Sequence, residues 1–119
     1  MQVQVHADDH VQGGESLAHW VQEEVGGKLS RFREHLTRVD VYLTDVDALK
    51  TGGKGKRCVL ETRPTGRQPL AVNAEAEKVP QAFSSALEKL QHALESELAK
   101  MRDKNNRESI RAIAAADEE

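Results

Sequence analysis

The sequence predicts an α+β domain of order β-α-β-β-β-α: one four-stranded sheet with two helices packed on one of its faces. Three observations predict it. Four short segments alternate apolar and polar residues, as half-buried strands do. Two longer segments carry apolar residues every three or four positions, as amphipathic helices do. At 119 residues, the chain suits one domain with one hydrophobic core.

Val3 and Val5 alternate with Gln2, Gln4 and His6, giving a first strand with one buried face. Asp8 to Gly14 is rich in turn residues, and the adjacent carboxylates Asp8 and Asp9 are read as capping groups for a helix starting near Gly13 or Gly14. That helix carries Leu17, Val21, Val25, Leu29, Phe32 and Leu36 on one stripe. Gly26 and Gly27 interrupt it, each costing about 1 kcal/mol relative to Ala. Because the stripe stays in phase across them, the reading is a continuous helix with a bend; two short helices are the alternative.

Val39, Val41 and Leu43 alternate through a second strand. Thr51-Gly52-Gly53-Lys54-Gly55-Lys56, within the segment from Asp45 to Lys56, reads as a flexible hairpin loop. Arg57 to Arg63 form a third strand with Cys58 and Leu60 inward, and Pro64-Thr65-Gly66-Arg67 is a tight turn. Leu70, Val72 and Ala74 mark a fourth strand. A second helix starts near Lys78, with Pro80 in its first turn where a missing N–H costs little. Its stripe is Val79, Phe83, Leu87, Leu90, Leu94, Leu98 and Met101. Asn105-Asn106 marks the expected exit after Asp103 or Lys104, which divides the chain into a domain at 1–104 and a charged, flexible tail at 105–119. The crossover between the first two strands makes them parallel. One sheet face takes both helices, and the other, with Gln2, Gln4, Asp40, Tyr42, Glu61 and Arg63, is left to solvent.

Composition narrows the function. Hydrophobic residues make up 38% and charged residues 31%, as in a soluble globular protein; at 3% aromatics, the core rests on Leu, Val and Ala with Trp20, Phe32 and Phe83 as anchors. No segment approaches the ~20 apolar residues of a membrane span. The alternating start at Met1 to His6 is unlike a secretory signal. The single cysteine, Cys58, has no internal partner. A cytoplasmic location is expected. The net charge is −3, matched by Asp117, Glu118 and Glu119 alone, so the rest of the chain is neutral and can still present a basic face.

The cations are grouped. Lys28, Arg31 and His35 lie three and four residues apart, and Lys89 and Lys100 eleven apart, so each set shares a helix face. Lys104, Arg107 and Arg111 continue the series at four, seven and eleven residues beyond Lys100, and Arg102 sits nearby. Side by side, the two helices would let these rows flank one groove, the arrangement that phosphates need. Charges on the solvent face of an amphipathic helix also simply keep it soluble, and Glu88, Glu95 and Glu97 are available to pair with them.

Other signals point away from chemistry. His6 and His10 span a strand end and a turn, with no Cys or carboxylate at metal-ligand spacing, and read as surface histidines. Gly52-Gly53-Lys54-Gly55-Lys56 lacks the gap and the Ser or Thr of a phosphate loop and joins two strands. Ser16 lacks a nucleophile elbow. Cys58 reads as core. No catalytic residue, metal site, cofactor or small-molecule substrate is expected.

In this order of elements, certain segments carry a family resemblance over about residues 1–104. They are Met1-Gln2-Val3-Gln4-Val5-His6, Leu29-Ser30-Arg31-Phe32 before Thr37-Arg38-Val39-Asp40-Val41, and Lys56-Arg57-Cys58-Val59-Leu60-Glu61 with Gly66-Arg67-Gln68-Pro69-Leu70-Ala71-Val72. The last is Leu98-Ala99-Lys100-Met101-Arg102-Asp103-Lys104. The chain resembles the short ribosome hibernation promoting factors, also called ribosome-associated inhibitor A or sigma-54 modulation proteins. The resemblance implies a double-stranded-RNA-binding-like fold and a bacterial, non-enzymatic factor. Such a factor would bind small-subunit ribosomal RNA in the messenger and transfer RNA channel and block translation in stationary phase or stress. It implies phosphate contacts by Lys28, Arg31, Lys89, Lys100, Arg102 and Lys104. Departures are Gln81-Ala82-Phe83-Ser84-Ser85-Ala86 in place of the family's Tyr-Ala-Ala-Ile-Asp-like opening, and the acids on the second helix. The extra C-terminal domain of the long form is not expected, and the acidic ending resembles that of inhibitor-type short members. The competing reading is a protein-interaction or regulatory module, or a weak homodimer through the sheet face around Tyr42.

Overall fold

The computed structural model describes residues 1–8, 11–45 and 55–117, with side chains in the last helix described through Lys100 and at Arg102. The elements are β1 (Gln2–Ala7), α1 (Gly14–Lys28), a 3-10 helix (Ser30–His35), β2 (Leu36–Asp45), β3 (Lys56–Pro64), β4 (Leu70–Ala76) and α2 (Val79–Asp117). The four strands form one sheet in the order β1-β2-β3-β4, with β1 parallel to β2 and the other pairs antiparallel.

Strand period and register act together. Val3, Val39, Thr62 and Leu70 lie in one row across the sheet, and Val5, Val41, Leu60 and Val72 in another. These rows face the helices. Val21 and Val25 of α1 and Phe83, Leu87, Leu90 and Leu94 of α2 close over them, each at most 3% exposed. Trp20 meets Phe83 edge to face at 5.3 Å between ring centroids, joining the helices. Cys58 lies in this core, where burial pushes its thiol up to about 12, so it stays protonated at neutral pH.

The expected continuous first helix is instead an α-helix followed by a 3-10 helix. Gly26-Gly27 weakens helix propensity at the junction. The Ser30 hydroxyl donates to the Gly27 carbonyl at 3.0 Å, and Phe32 N–H donates three residues back to Leu29 O at 2.9 Å. A 3-10 turn stacks positions three apart, so Leu29 and Phe32 stay buried. Leu36 is buried too, but as the first residue of β2; an irregularity between Leu36 and Val39 restores the inward alternation. Buried Thr62 donates to Arg38 O at 2.6 Å beside it.

Two further expectations change. The N-cap of α1 is Gly13, at φ 115°, without a side-chain cap. The Asp8 carboxylate instead accepts from the Asp45 backbone N–H at 3.4 Å, holding the top of β1 near that of β2; Asp9 lies outside the described residues. The backbone of α2 does not exit at Asn105-Asn106 but continues to Asp117. No Gly or Pro follows Pro80, and Ala112 and the run Ala114-Ala115-Ala116 are strong helix formers, so two Asn residues are too weak a break. Residues 46–54, which include Thr51 to Lys54 of the expected hairpin loop, lie outside the described residues.

The open sheet face has its own polar set. Arg38 donates to Asp40 and to Gln4, and His6 meets Asp40 at 3.2 Å while stacking on Tyr42 at 4.7 Å. The Arg38 guanidinium holds the Asp40 carboxyl below its usual range, with His6 adding to this and partial burial opposing it. The outer edges are touched by helix side chains: Gln22 Nε2 donates to Val3 O at 3.5 Å, and Lys89 Nζ to Asn73 O at 2.8 Å. Among the described residues, no helix is long and apolar enough to cross a membrane.

Phe83 is wholly buried at the meeting point of both helices and the sheet. Phe83→Ala should therefore lower unfolding free energy by about 3–5 kcal/mol. Urea denaturation followed by Trp20 fluorescence and by circular dichroism checks this.

Candidate nucleic-acid interface

Seating the apolar stripe of α2 on the sheet fixes where its charges point. On a 3.6-residue period, Lys89 and Lys100 fall on one flank, and Gln91, Glu95 and Arg102 on the other. Between them Ser85, His92 and Ser96 form the exposed crest. Contacts assign the flanks. Gln91 Nε2 donates to Lys28 O at 3.3 Å and Glu95 pairs with Arg31, so that side faces the end of α1 and the 3-10 helix. Lys89 reaches Asn73 of β4 and Glu97 reaches Arg67, so the other side faces β4 and the β3–β4 turn.

The cations expected to line one inter-helix groove therefore form two rows astride α2. Lys28, Arg31 and Arg102 make the α1-side row. Lys89 and Lys100 make the β4-side row, and position 104 continues it along the helix, its side chain lying outside the described residues. Crest residues Ser85 and Ser96 are small and His92 between them is exposed, so a partner that straddles α2 meets this imidazole as it approaches both rows.

Several of these cations are already engaged. Arg31 pairs with Glu95 while its guanidinium carbon lies 4.7 Å from the centre of the Phe32 ring. Both partners are about half exposed, so the pair adds at most about 1 kcal/mol to stability. Lys100 Nζ is 3.8 Å from Glu97. Lys28 and Arg102 are exposed and have no ion-pair partner among the described residues.

Arg67, which sequence reasoning passed over as a turn residue, organises the β4 side. Its Nε and Nη2 donate to Glu97 Oε2 at 3.0 and 2.8 Å. Gly66 turns the backbone at φ 74°, Arg67 N–H closes the turn on Pro64 O at 3.0 Å, and Thr65 N–H donates to His35 O at 2.8 Å. The turn, the 3-10 helix and α2 are thereby locked together. Arg67 holds the Glu97 carboxyl below its ordinary value of 4.5; partial burial opposes this and Lys100 adds a smaller push the same way. The one available signal was Gly66-Arg67 at the tip of a tight turn, and nothing local names its partner 30 residues away.

Residues weighed for other chemistry have structural roles. His6 belongs to the Asp40–Tyr42 set on the open face, and Lys56 pairs with Asp45 at 2.9 Å where β3 begins. Among the described residues, no three His, Cys, Asp or Glu side chains gather as a metal site would.

A family model described as sigma 54 modulation protein / S30EA ribosomal protein matches residues 3–102. The chain belongs to that family. The S30EA family is ribosome-associated and is not an enzyme class. Among solved structures, the fold is shared with a ribosomal subunit interface protein from Coxiella burnetii, at TM-score 0.61 and 17% identity, covering 83% of this chain and 99% of that one. It is also shared with the Protein Y N-terminal domain of Thermus thermophilus, at TM-score 0.61 and 17% identity, covering 78% and 94%. At that identity the likeness is one of fold. A search of curated proteins finds no match.

The depressed carboxyl of Glu97 has a sign that can be measured. Its contribution to stability is complete above about 4.5 and is lost as pH falls through the lower folded value. Glu97→Gln should lower the melting temperature at pH 7, and the difference from wild type should close as pH drops below 4.5. Melting curves recorded from pH 7 to pH 2 decide it; a constant offset across that range would contradict the Arg67 pairing.

Proposed function

We propose that this S30EA family member binds the small ribosomal subunit through its RNA, in the channel that messenger and transfer RNA use, and silences translation by occupancy in stationary phase or stress. The observation that carries this reading is the pair of cation rows astride the crest of α2. Lys28, Arg31 and Arg102 contact phosphates on one side, and Lys89, Lys100 and Lys104 on the other. An A-form RNA surface is recognised mainly by shape and backbone, which suits two parallel rows of cations better than a base-reading pocket. Residues 1–104 are the binding unit, and 105–119 extend it as a charged appendage. The protein acts in the cytoplasm, where ribosomes are.

Internal ion pairs set the strength of the contact. Arg31 and Lys100 each have a carboxylate beside them, so a phosphate must compete with Glu95 or Glu97. Self-association through the face around Tyr42 is the second reading. It has polar contacts to work with, because Met1 is the exposed large apolar residue among those described.

Co-sedimentation of the full chain with purified small subunits tests the proposal. The logarithm of affinity should fall with the logarithm of salt concentration by about 0.7–0.9 per phosphate contacted. Lys100→Glu with Lys104→Glu should abolish binding with little change in melting temperature, whereas Glu95→Gln, which frees Arg31, should tighten it several-fold. Absence of wild-type binding at low salt would refute the proposal.

A further inference from the structure

The β4-side cation row does not stop at α2. Beneath the β3–β4 turn lies an open cleft of about 560 Å3 lined by Arg63, Gly66, Arg67, Gln68, Pro69 and Glu97. Two guanidinium groups border it, and Lys100 stands 3.8 Å from its Glu97 wall. The residues lining this cleft therefore carry two positive charges against one negative, and Arg63 also borders the neighbouring open-face cleft, where Arg38 stands with Asp40 and Glu61. The two arginines play different parts. Arg67 is fixed on Glu97 through both Nε and Nη2, which makes it a rigid wall. Arg63, at the end of β3, is exposed and has no ion-pair partner among the described residues. Its planar fork of donors is free to take two oxygens of one phosphate.

The turn that carries the cleft is held in place before any ligand arrives. Thr65 N–H bonds to the 3-10 helix at His35 O, Arg67 N–H bonds to Pro64 O, and Arg67 bonds to α2. A held site spends little of its binding free energy on ordering. We propose that the cleft beneath the β3–β4 turn is a phosphate subsite for an RNA backbone, with Arg63 as its contacting residue. It continues the β4-side row of α2 onto the end of the sheet. The proposal rests on the small-subunit RNA reading and extends it to residues outside both helices.

Full-length Arg63→Glu and Arg63→Lys are compared with Lys28→Glu/Arg102→Glu, which alters the opposite flank, in binding to purified small subunits over a salt series. Melting temperatures are recorded alongside. Arg63→Glu should weaken binding about tenfold and make the salt slope shallower by about one phosphate contact. Arg63→Lys, a point charge without the fork, should fall between it and wild type, and both should melt like wild type. Wild-type affinity and slope in Arg63→Glu, while Lys28→Glu/Arg102→Glu binds weakly, would overturn the subsite and leave the small-subunit reading intact. Failure of the unmutated chain to bind would remove that reading first and this one with it. A photo-crosslinker at Gln68→Cys should capture ribosomal RNA; capture of a ribosomal protein instead would overturn the phosphate assignment.

Discussion

The seating of the α2 apolar stripe on the sheet is the constraint on which the other features depend. Phe83, Leu87, Leu90 and Leu94 leave the helix one rotational setting, because turning it would lift these buried side chains off strands β2 to β4. That setting decides that Lys89 and Lys100 look toward β4 and that Glu95 and Arg102 look toward α1. The cation rows are therefore a consequence of core packing, and the Trp20–Phe83 contact ties α1 to the same setting. A core with few aromatics concentrates this task on Phe83.

Electrostatics refines what packing arranges. Each flank of α2 carries an acid aimed at a neighbouring element: Glu95 at Arg31, Glu97 at Arg67. These bonds order the 3-10 helix and the β3–β4 turn against α2, and they partly neutralise the cations they order. Rigidity and free positive charge are in opposition here. The Arg67–Glu97 pair is the more shielded of the two and fixes the turn, while the more exposed Arg31–Glu95 pair is the easier for a phosphate to displace.

Much of the fold was legible in the chain itself. The alternation at Val39-Val41-Leu43 and the long α2 stripe each name their element, and the crossover geometry makes β1 and β2 parallel. What was not legible depended on competition between local and distant forces. The stripe through Leu36 has helical spacing, yet Leu36 is drawn into β2 once Gly26-Gly27 ends α1. Asp8 precedes a helix, yet the backbone of Asp45 claims its carboxylate. Within the site, the eleven-residue spacing of Lys89 and Lys100 correctly placed them on one face. Which face that was relative to α1 depended on seating the core. The acids were read as helix-surface partners, but Glu95 and Glu97 reach across 64 and 30 residues of sequence to Arg31 and Arg67, contacts that a four-residue pattern cannot contain.

The central claim is that RNA meets the molecule on the crest of α2 and not on the open sheet face. Cys58 is buried and protonated at neutral pH, so a cysteine introduced elsewhere can be labelled selectively with an iron-chelate cleavage reagent. The direct measurement is hydroxyl-radical cleavage of small-subunit RNA from Ser96→Cys on the crest and from His6→Cys on the open face at β1, the edge strand far from Arg63. The account predicts strong, localised cleavage from position 96 and little from position 6. Strong cleavage from position 6 with none from position 96 would contradict it.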